Sequence, residues 1–361
     1  MRIEYLTTGL QVGGAEKVVF DLASGMKARG HDVSVTSLLE PKAYAERLRQ
    51  QGIDVRSLDL DRERKDLARV VSALFAYRRA VGSRKPDIIH SHMVHANLFA
   101  RAAVAFQPSL RLICTIHNIY EGGRLRDLGY ALTNWASDLD TTISEAATRR
   151  YVSDGVLPDR TMTVYSGVEV PRRSRAPVVA EGGRFRWIAI GRLEAQKDYP
   201  TLLRAMSQLG NASLSIAGDG SLRQPLEVMA RHLGVHDRIM FLGARTDLEE
   251  QLANHDGYVL SSSWEGFGLA LAEAMASGLP VVATRSGGPS EVVGEDAGCG
   301  LIVAPGDEAA LAVAMDAVAR LAPGARFEMG NRGRDRIASR FSRDGMLDRW
   351  EAIYSRVGRG R

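Results

Sequence analysis

The chain has 361 residues, of which 45% are hydrophobic and 25% are charged. These proportions are those of ordinary folded proteins and exclude a disordered chain or a fibrous repeat, while the length suits two α/β domains better than one. The formal net charge at pH 7 is only +4. No nucleic-acid-binding motif accompanies the basic residues, so we expect no nucleic-acid partner.

The beginning of the chain and its cysteines indicate a compartment. The opening residues MRIEYLTT enter a strand pattern at once instead of a secretory signal, and no apolar run approaches the roughly 20 residues that span a bilayer. Cys114 and Cys299 lie in apolar, strand-like runs and are too few for a disulfide framework, which favours buried free thiols in a reducing compartment. We therefore expect a cytoplasmic protein that reaches a membrane only as a peripheral protein, from its inner face.

Short β-branched runs alternate with longer helical patterns in both halves of the chain, which predicts parallel sheets covered by helices. A polar, proline-bearing stretch at 172–183 is predicted to be a linker, and residues 342–361 carry a helical pattern predicted to pack near the domain junction. The predicted domains, 1–171 and 184–341, are two Rossmann-like, doubly wound α/β units facing a cleft. The predicted strands are Ile3–Thr7, Asp32–Ser37, Ile88–His90, Leu112–His117, Asp140–Ile143, Thr161–Tyr165, Trp187–Gly191, Ser213–Ala217, Ile239–Leu242, Gly257–Leu260, Val281–Thr284 and Leu301–Val303.

A basic segment, Arg62–Lys85, lies between the second and third predicted strands. Its apolar residues recur at helical spacing, which predicts an amphipathic helix packed on the sheet with a basic, solvated outer side, and we favour this interpretation. The alternative is a patch that attracts anionic lipid headgroups or a phosphate-bearing acceptor. The apolar residues concerned are Leu67, Val70, Val71, Leu74 and Phe75.

A first glycine-rich loop, Gly9–Glu16, follows the first predicted strand and precedes a helix. Glycines allow backbone N–H groups to approach a ligand, and a helix start favours an anion. The spacing differs from G-x-G-x-x-G, and no acidic residue ends the second strand, so a nicotinamide cofactor is not expected.

Two further clusters occur in the second half. Arg192 and Lys197 follow its first strand and can neutralise a diphosphate, the arginine as a planar fork and the lysine as a point charge. Glu265 and Glu273 flank a helix that begins near Gly268, where free N–H groups and carboxylates can bind phosphate and sugar hydroxyls. Taken singly, these residues are also explained as surface salt bridges or exposed helical carboxylates.

Together with Ala217–Gly220 and Phe241–Gly243, these clusters resemble, in the same order, the retaining GT-B glycosyltransferases with the signature Glu-x7-Glu (glycosyltransferase family 4, group 1). The resemblance covers nearly the whole chain. It implies that a hexose or N-acetylhexosamine moves from a nucleotide-diphosphate sugar to an acceptor, with no metal and no other cofactor.

The resemblance also implies roles for individual residues. Arg192 and Lys197 would hold the diphosphate, and Glu265 would hydrogen-bond the donor sugar rather than attack it. His117 matches a histidine that faces the donor sugar, and Asn118 stands where many relatives carry aspartate. The other donor-binding positions are Gly13 and Gly14 beside the phosphates, Gly218 and the backbone at Arg245 near base and ribose, the backbone of Phe267, Gly268 and Leu269 at the phosphate end, and Glu273 on the ribose.

The donor and the acceptor are less closely defined than the reaction. We take a uridine diphosphate sugar as the starting hypothesis. The basic, tyrosine-containing segment Asn118–Arg126 favours an anionic acceptor, namely a glycan or a polyprenyl-linked glycan of a bacterial envelope polysaccharide such as lipopolysaccharide. Three alternatives share the predicted fold: a sugar-nucleotide epimerase, a phosphorylase (usually a much longer chain, with a lysine for pyridoxal) and a non-catalytic nucleotide-sugar-binding protein.

Two metal-like patterns are interpreted as structural. Asp138 and Asp140 form a D-x-D sequence, but it enters an apparently buried strand. His90, His92 and His95 have no cysteine or carboxylate to complete a zinc site, so packing or acceptor contact explains them better.

Overall fold

Contacts divide the chain of this computed structural model into two compact units, Met1–Gly167 with Arg343–Arg361 and Val168–Ser342. The final helix therefore belongs to the first unit. Residues 172–182 of the predicted linker, and Arg62, Arg64 and Lys65 of the basic segment, lie outside the described residues. The structure describes residues 1–61, 66–105, 107, 109–171 and 183–359.

The described residues of the first unit form a seven-stranded sheet in which every pairing is parallel. The six strands predicted in this half are present, and the sequence missed a short edge strand whose only buried residue is Val55. The strands are β1 (Arg2–Thr7), β2 (Asp32–Ser37), β3 (Asp54–Ser57), β4 (Ile88–His92), β5 (Leu112–Ile116), β6 (Leu139–Thr142) and β7 (Met162–Thr163). The helices are α1 (Gly14–Ala28), α2 (Ala43–Gln50), α3 (Leu67–Arg84), α4 (Val94–Val104), α5 (Arg124–Thr133) and α6 (Glu145–Ser153).

The strand order of this sheet, β3-β2-β1-β4-β5-β6-β7, is that of a doubly wound fold. The chain first steps from β1 to β3 in one direction and then resumes with β4 on the other side of β1. Because parallel crossovers are right-handed, this reversal puts α3, α4, α5 and α6 on the face opposite to α1 and α2. Side chains that follow β1 and β4 therefore meet at a switch point, where such folds bind ligands.

The second unit repeats this plan. Its described residues form a six-stranded parallel sheet of order β10-β9-β8-β11-β12-β13, with the switch point between β8 and β11. All six strands predicted in this half are present. The strands are β8 (Phe185–Ile190), β9 (Ala212–Ala217), β10 (Ile239–Gly243), β11 (Gly257–Leu260), β12 (Val281–Thr284) and β13 (Gly300–Val303). The helices are α7 (Tyr199–Ser207), α8 (Arg223–His232), α9 (Leu248–Ala253), α10 (Leu269–Ala276), α11 (Gly288–Val293), α12 (Glu308–Arg320) and α13 (Pro323–Arg340), and the chain ends with α14 (Arg343–Arg359) of the first unit.

Helix α14 packs on the first unit against α1 and β4. The apolar residues that predicted this helix are all buried, which explains why a terminal segment is ordered as part of that unit's core. These residues are Met346, Leu347, Trp350, Ile353 and Tyr354.

Helix α3 corrects one sequence prediction. The carboxylate of Asp66 caps it by accepting hydrogen bonds from the N–H groups of Ala68 (3.0 Å) and Arg69 (3.3 Å). Of the predicted apolar set, Leu74 alone packs, half-buried, against the buried core. The main buried stripe is a different one, because α3 carries two apolar stripes about 100° apart around its axis. The buried residues are Ala73, Tyr77 and Val81, whereas Leu67, Val70, Val71 and Phe75 are exposed.

Both cysteines are buried free thiols, as predicted. Cys114 lies in β5, and burial raises the pKa of its thiol to about 11, so the thiol stays protonated near neutral pH. Cys299 precedes β13 instead of lying within a strand. Among the described helices, none is long and apolar enough to cross a membrane.

Candidate functional site

An ion pair lies at the switch point of the second unit. Lys197 follows β8, Glu265 follows β11, and the Nζ of Lys197 donates to the Oε2 of Glu265. The two side chains are 18% and 14% exposed, so a ligand can reach both. The hydroxyl of Ser262 donates to the same carboxylate oxygen at 3.2 Å. Two residues 68 positions apart in the chain, both predicted to bind the donor, are thus in contact.

The loop before α7 fixes the position of Lys197. Asp198 has a φ of 46°, in the left-handed region that Asp tolerates better than most residues. Its carboxylate accepts hydrogen bonds from the N–H (3.4 Å) and the hydroxyl (2.8 Å) of Thr201, and so caps α7. The hydroxyl of Ser261 donates to the carbonyl of Lys197 at 2.8 Å. The lysine therefore leaves a backbone that is held on both sides.

Backbone hydrogen bonds hold Glu265 equally firmly. Its N–H donates to the carbonyl of Ser286 at 2.8 Å, and its own carbonyl accepts from the N–H of Gly288 at 3.2 Å. The side-chain amide of Gln196 donates to the carbonyl of Trp264 at 2.9 Å. The loops that follow β8, β11 and β12 are therefore joined to one another, which makes this edge of the sheet rigid.

Helix α10 begins beside this ion pair. Gly268 precedes it with a φ of 88° and provides no side-chain cap, so the helix-start N–H groups face the loop. Phe267 is buried and packs edge-on against Phe341, with ring centroids 5.6 Å apart. Glu273 lies half-buried within α10. The pKa of the Tyr258 hydroxyl is raised, first by burial and then by the neighbouring Tyr199, Glu265 and Glu273. The carboxylates of Glu265 and Glu273 therefore lie close enough to act on the same buried hydroxyl.

Glycines allow the loops after β8 and β9 to pack closely. Gly218 has a φ of 152°, and a β-carbon there would collide with the carbonyl of Gly191. Its N–H donates to the carbonyl of Gly243 at 2.8 Å. Only glycine fits at position 218, which gives this residue a structural reason in addition to the predicted donor contact.

Arg192 and Arg245 differ in their surroundings. Arg192 is exposed, and the neighbouring Glu194 is bound by the N–H (3.1 Å) and the hydroxyl (2.9 Å) of Ser221, which lower the pKa of its carboxyl. The guanidinium of Arg245 pairs with Asp247, with Nε to Oδ1 at 2.7 Å. The predicted donor contact of Arg245 is made by its backbone. The pairing of its side chain with Asp247 therefore does not affect that prediction.

Three histidines lie on or just after β4 and β5, beside the switch point of the first unit. His117 follows β5, and its Nε2 lies 2.9 Å from the Nδ1 of His92 at the end of β4. The ring of His92 packs on that of His90, with centroids 4.0 Å apart, and His90 is hydrogen-bonded to the hydroxyls of Tyr354 and Thr115, both at 2.7 Å. Burial lowers the pKa of all three rings, and that of His117 to about 4. At neutral pH they act as uncharged hydrogen-bonding groups.

Sequence analysis missed Glu121 as a member of this group. Its carboxylate accepts from the N–H of His117 at 3.2 Å and from the hydroxyl of Tyr130 at 3.1 Å. Burial raises the pKa of the Glu121 carboxyl to about 7. Its place four residues after His117, in a loop that leaves a buried strand, was the only available signal. The role of His92 was missed too, because its contact with His117 depends on strand pairing.

The glycine loop of the first unit ends at the start of α1. Gly14 is the first residue of the helix, and Gly13 precedes it. The carboxylate of Glu16 lies against Gly13, where a β-carbon would collide with it. Glu16 occupies the position from which glutamate caps its own helix. A carboxylate therefore lies at the helix start where a donor phosphate was predicted, and the phosphate role of Gly13 and Gly14 stays a prediction.

The acids of the D-x-D sequence both pair with arginines of their own unit. Asp138 accepts from Arg111 at 2.7 Å and Asp140 from Arg101 at 2.6 Å. Within the described ranges, no group of three or more His, Cys, Asp or Glu is placed to hold a metal ion.

The structure thus brings part of the predicted site together. Lys197, Glu265 and the start of α10 meet in the second unit, with Glu273 nearby. His117, Gly13 and Gly14 belong to the first unit, at the carboxyl ends of its own strands.

Comparison with known proteins identifies the class of the chain. Residues 12–172 match the family model described as Glycosyltransferase Family 4, and residues 172–336 match the one described as Glycosyl transferases group 1. The chain is a glycosyltransferase. It is 27% identical, over 99% of its length and 98% of the other protein, to the lipopolysaccharide core biosynthesis glycosyltransferase LpsD of Rhizobium meliloti (strain 1021). It is 28% identical to LpsE of the same organism, over 93% of this chain and 94% of that one.

Solved structures confirm the GT-B fold of this glycosyltransferase. The crystal structure of Anabaena Alr3699/HepE in complex with UDP-glucose superposes with a TM-score of 0.86 and 21% identity, over 98% of this chain and 99% of that one. Two parallel-sheet domains are common to both, as predicted. The predicted residue roles are not tested by this likeness.

Proposed function

We propose that this glycosyltransferase transfers a hexose or N-acetylhexosamine from a nucleotide-diphosphate sugar with retention of anomeric configuration. The ion pair between Lys197 and Glu265 at the switch point, beside the start of α10, carries the proposal. An arriving diphosphate gives Lys197 a new anionic partner. Glu265 then has a carboxylate free to accept hydrogen bonds from the hydroxyls of the sugar.

Departure of the nucleoside diphosphate is the step that the site favours. Negative charge grows on the leaving oxygen, where Arg192, Lys197 and the N–H groups of α10 can stabilise it. Each such electrostatic contribution is worth about 3–4 kcal/mol in other enzymes. The leaving diphosphate takes the proton of the acceptor hydroxyl on the same face of the sugar, so the configuration is retained. The proposal assigns no metal and no other cofactor to this step.

We infer a uridine diphosphate sugar as the donor. Support comes from Alr3699/HepE, which was crystallised with UDP-glucose and shares the fold. Glu273 would bind the ribose, as a carboxylate can accept from two neighbouring hydroxyls. Gly218 and the backbone at Arg245 would lie near base and ribose, and the backbone of Phe267, Gly268 and Leu269 near the phosphate.

The acceptor is proposed to be a glycan or a polyprenyl-linked glycan of bacterial lipopolysaccharide. LpsD and LpsE, to which the chain is similar over nearly its whole length, are named for lipopolysaccharide core biosynthesis. His117, neutral at physiological pH because burial lowers its pKa to about 4, would hydrogen-bond the donor sugar. The enzyme would work in the cytoplasm, at the inner face of the membrane that carries such acceptors.

Assays of donor hydrolysis and transfer across uridine, guanosine and adenosine diphosphate sugars test this proposal. We expect release of uridine diphosphate and a product that keeps the donor's anomeric configuration by NMR. Conversion of the donor into an epimer without release of nucleotide would identify an epimerase, and binding without turnover would identify a binding protein.

Variants of two arginines, one near each end of β8, test the role of Arg192 against a matched control. Arg192→Gln should lower turnover by about 10²–10³-fold, because it removes charge stabilisation of the leaving group. Arg186→Gln is the matched control, since Arg186 pairs with Asp256 at the opposite end of the same strand. Near-normal turnover of Arg192→Gln would refute the assigned role.

A further inference from the structure

Exposed apolar side chains are concentrated in two segments of the first unit. Of the fourteen large ones in the described part of the chain, four lie in 67–75 and five in 120–135. The remaining five are scattered over the rest of the described residues. Soluble proteins rarely expose contiguous apolar area, so such clusters mark interaction surfaces.

The apolar stripe of α5 has helical spacing and points away from the core. Its leucines are separated by three and four residues and lie opposite Tyr130, which is buried. A tryptophan in the turn after α5 continues the same side. The exposed fractions are 86% for Leu125, 52% for Leu128, 65% for Leu132 and 68% for Trp135.

Helix α3 presents a second stripe on the same face of the sheet. Leu67, Val71 and Phe75 are exposed and recur every four residues. The crossovers that contain α3, α4 and α5 all step in one direction across the sheet, so these helices share a face. Helix α4 packs against both of the others. The two stripes therefore lie on one side of the first unit, with α4 between them.

Basic residues dominate the charge of α3. From Leu67 to Lys85 the chain carries five basic residues and no acidic one. On α5, the acidic Asp127 is neutralised by Arg150 through two hydrogen bonds. Leucine, phenylalanine and tryptophan beside arginine and lysine are the composition of a helix that lies in the boundary of an anionic bilayer.

We propose that the α3–α5 surface, defined as the exposed stripes of α3 and α5 with the basic residues of α3, docks on an anionic lipid bilayer. The apolar side chains enter the headgroup boundary, and Arg69, Arg79 and Lys85 attract the lipid phosphates. This inference rests on the proposed function in one respect, namely that docking would bring a lipid-linked acceptor within reach of the enzyme. Docking itself is a physical property that can be measured without turnover.

Flotation of the full chain with vesicles tests the proposal. We expect binding to vesicles of equimolar phosphatidylcholine and phosphatidylglycerol, weaker binding to phosphatidylcholine alone, and a decline with added salt. No binding to the anionic vesicles, or equal binding to both kinds, would overturn it. If the chain binds vesicles but hydrolyses no donor, the proposed function fails and this inference stands.

Two double variants distinguish docking by the α3–α5 surface from nonspecific binding through exposed apolar side chains. Leu128→Gln with Leu132→Gln should weaken binding at least about tenfold, because two leucines lose their apolar transfer. Met240→Gln with Val313→Gln is the matched control, as both residues are similarly exposed (62% and 70%) but lie in the second unit. Circular dichroism should confirm that each variant is folded before its binding is compared. Equal loss in both double variants would contradict the assignment.

Tryptophan fluorescence gives an independent readout. Trp187 and Trp350 are buried and Trp264 is half-buried, so Trp135 dominates any change on docking. Its emission should shift to shorter wavelength with anionic vesicles, and Trp135→Phe should abolish the shift. If sedimentation instead shows that Leu128→Gln with Leu132→Gln separates a dimer, and no vesicles are bound, the surface joins two copies of the chain and the proposal is wrong.

Discussion

The two units hold ion pairs of similar chemistry in opposite settings. Arg101 on α4 and Asp140 on β6 are both fully buried and lie 2.6 Å apart. The other carboxylate oxygen accepts from the hydroxyl of Ser137 at 2.8 Å, and Arg101 also donates to the carbonyl of Tyr130 at 2.9 Å. The pair of Lys197 and Glu265 lies at the carboxyl edge of its sheet and is partly exposed.

This difference separates a structural pair from one that can serve a reaction. A buried pair cannot release its partner, since an unpaired charge away from water costs several kcal/mol. The side chains of Lys197 and Glu265 are partly exposed, so either member can exchange its partner for a ligand at a smaller cost than in a fully buried pair. The pair of Arg101 and Asp140 therefore contributes cohesion, whereas the pair of Lys197 and Glu265 can exchange partners.

The largest effect is expected from breaking the buried pair. Arg101→Met should lower the free energy of unfolding of the first unit by about 3–5 kcal/mol, because Asp140 stays buried without its partner. Urea denaturation followed by circular dichroism measures this loss. Arg101→Met combined with Asp140→Leu should recover most of it, since an apolar pair replaces the ionic one. A single variant as stable as the wild type would show that this pair contributes no cohesion.

Lys197→Met should change stability little and turnover strongly. We expect a loss of about 1–2 kcal/mol in unfolding free energy, less than for Arg101→Met, because Glu265 keeps the hydrogen bond from Ser262 and is partly exposed. Turnover should fall by about 10²–10³-fold, as the leaving diphosphate loses its cation. Arg186→Met, which breaks the pair with Asp256 at the other end of β8, should match the stability loss and keep turnover. A loss of several kcal/mol with unchanged turnover would make Lys197 a second structural residue.

The sequence assigned Lys197 and Glu265 to one donor site through the family resemblance, and the structure shows that the two side chains are in contact. Each residue follows a buried strand, and in a doubly wound sheet the carboxyl ends of the strands beside the switch point are neighbours. The alternation of β-branched runs supplied the positions of twelve strands, whereas the pairing of β8 with β11 depends on the strand order seen in the structure. It did not supply β3, because only Val55 of its four residues is buried.

The sequence did not predict contacts that depend on which side of a helix faces the sheet. Helix α3 has two apolar stripes of the same period, and periodicity does not say which one faces the sheet. The larger residues, such as Phe75, suggested the wrong stripe, whereas Tyr77 is buried. The contact of His92 with His117 likewise requires β4 and β5 to pair in register, with His92 opposite Thr115.

The last prediction concerns titration in the first unit, where burial shifts the pKa of both Glu121 and His117. Burial raises the pKa of the Glu121 carboxyl from 4.5 to about 7. Between these values the folded chain keeps a proton that the unfolded chain has lost, so stability falls as pH rises. Burial lowers the pKa of His117 from 6.5 to about 4. There the unfolded chain holds the extra proton, so stability rises with pH and the two slopes oppose each other.

Glu121→Gln should remove one of these slopes and expose the other. Glutamine keeps the neutral shape of the protonated acid and can still accept from the N–H of His117, so the fold is preserved. The unfolding free energy of the variant, relative to wild type, should therefore increase as pH rises from 4.5 to 7, the window of the Glu121 shift. Urea midpoints across this window measure it, with Glu46→Gln, an exposed glutamate of α2, as the matched control. If the curves of Glu121→Gln and wild type run parallel, Glu121 is ionised in the folded chain, and the first unit carries a charge beside His117 just as the second does beside Lys197.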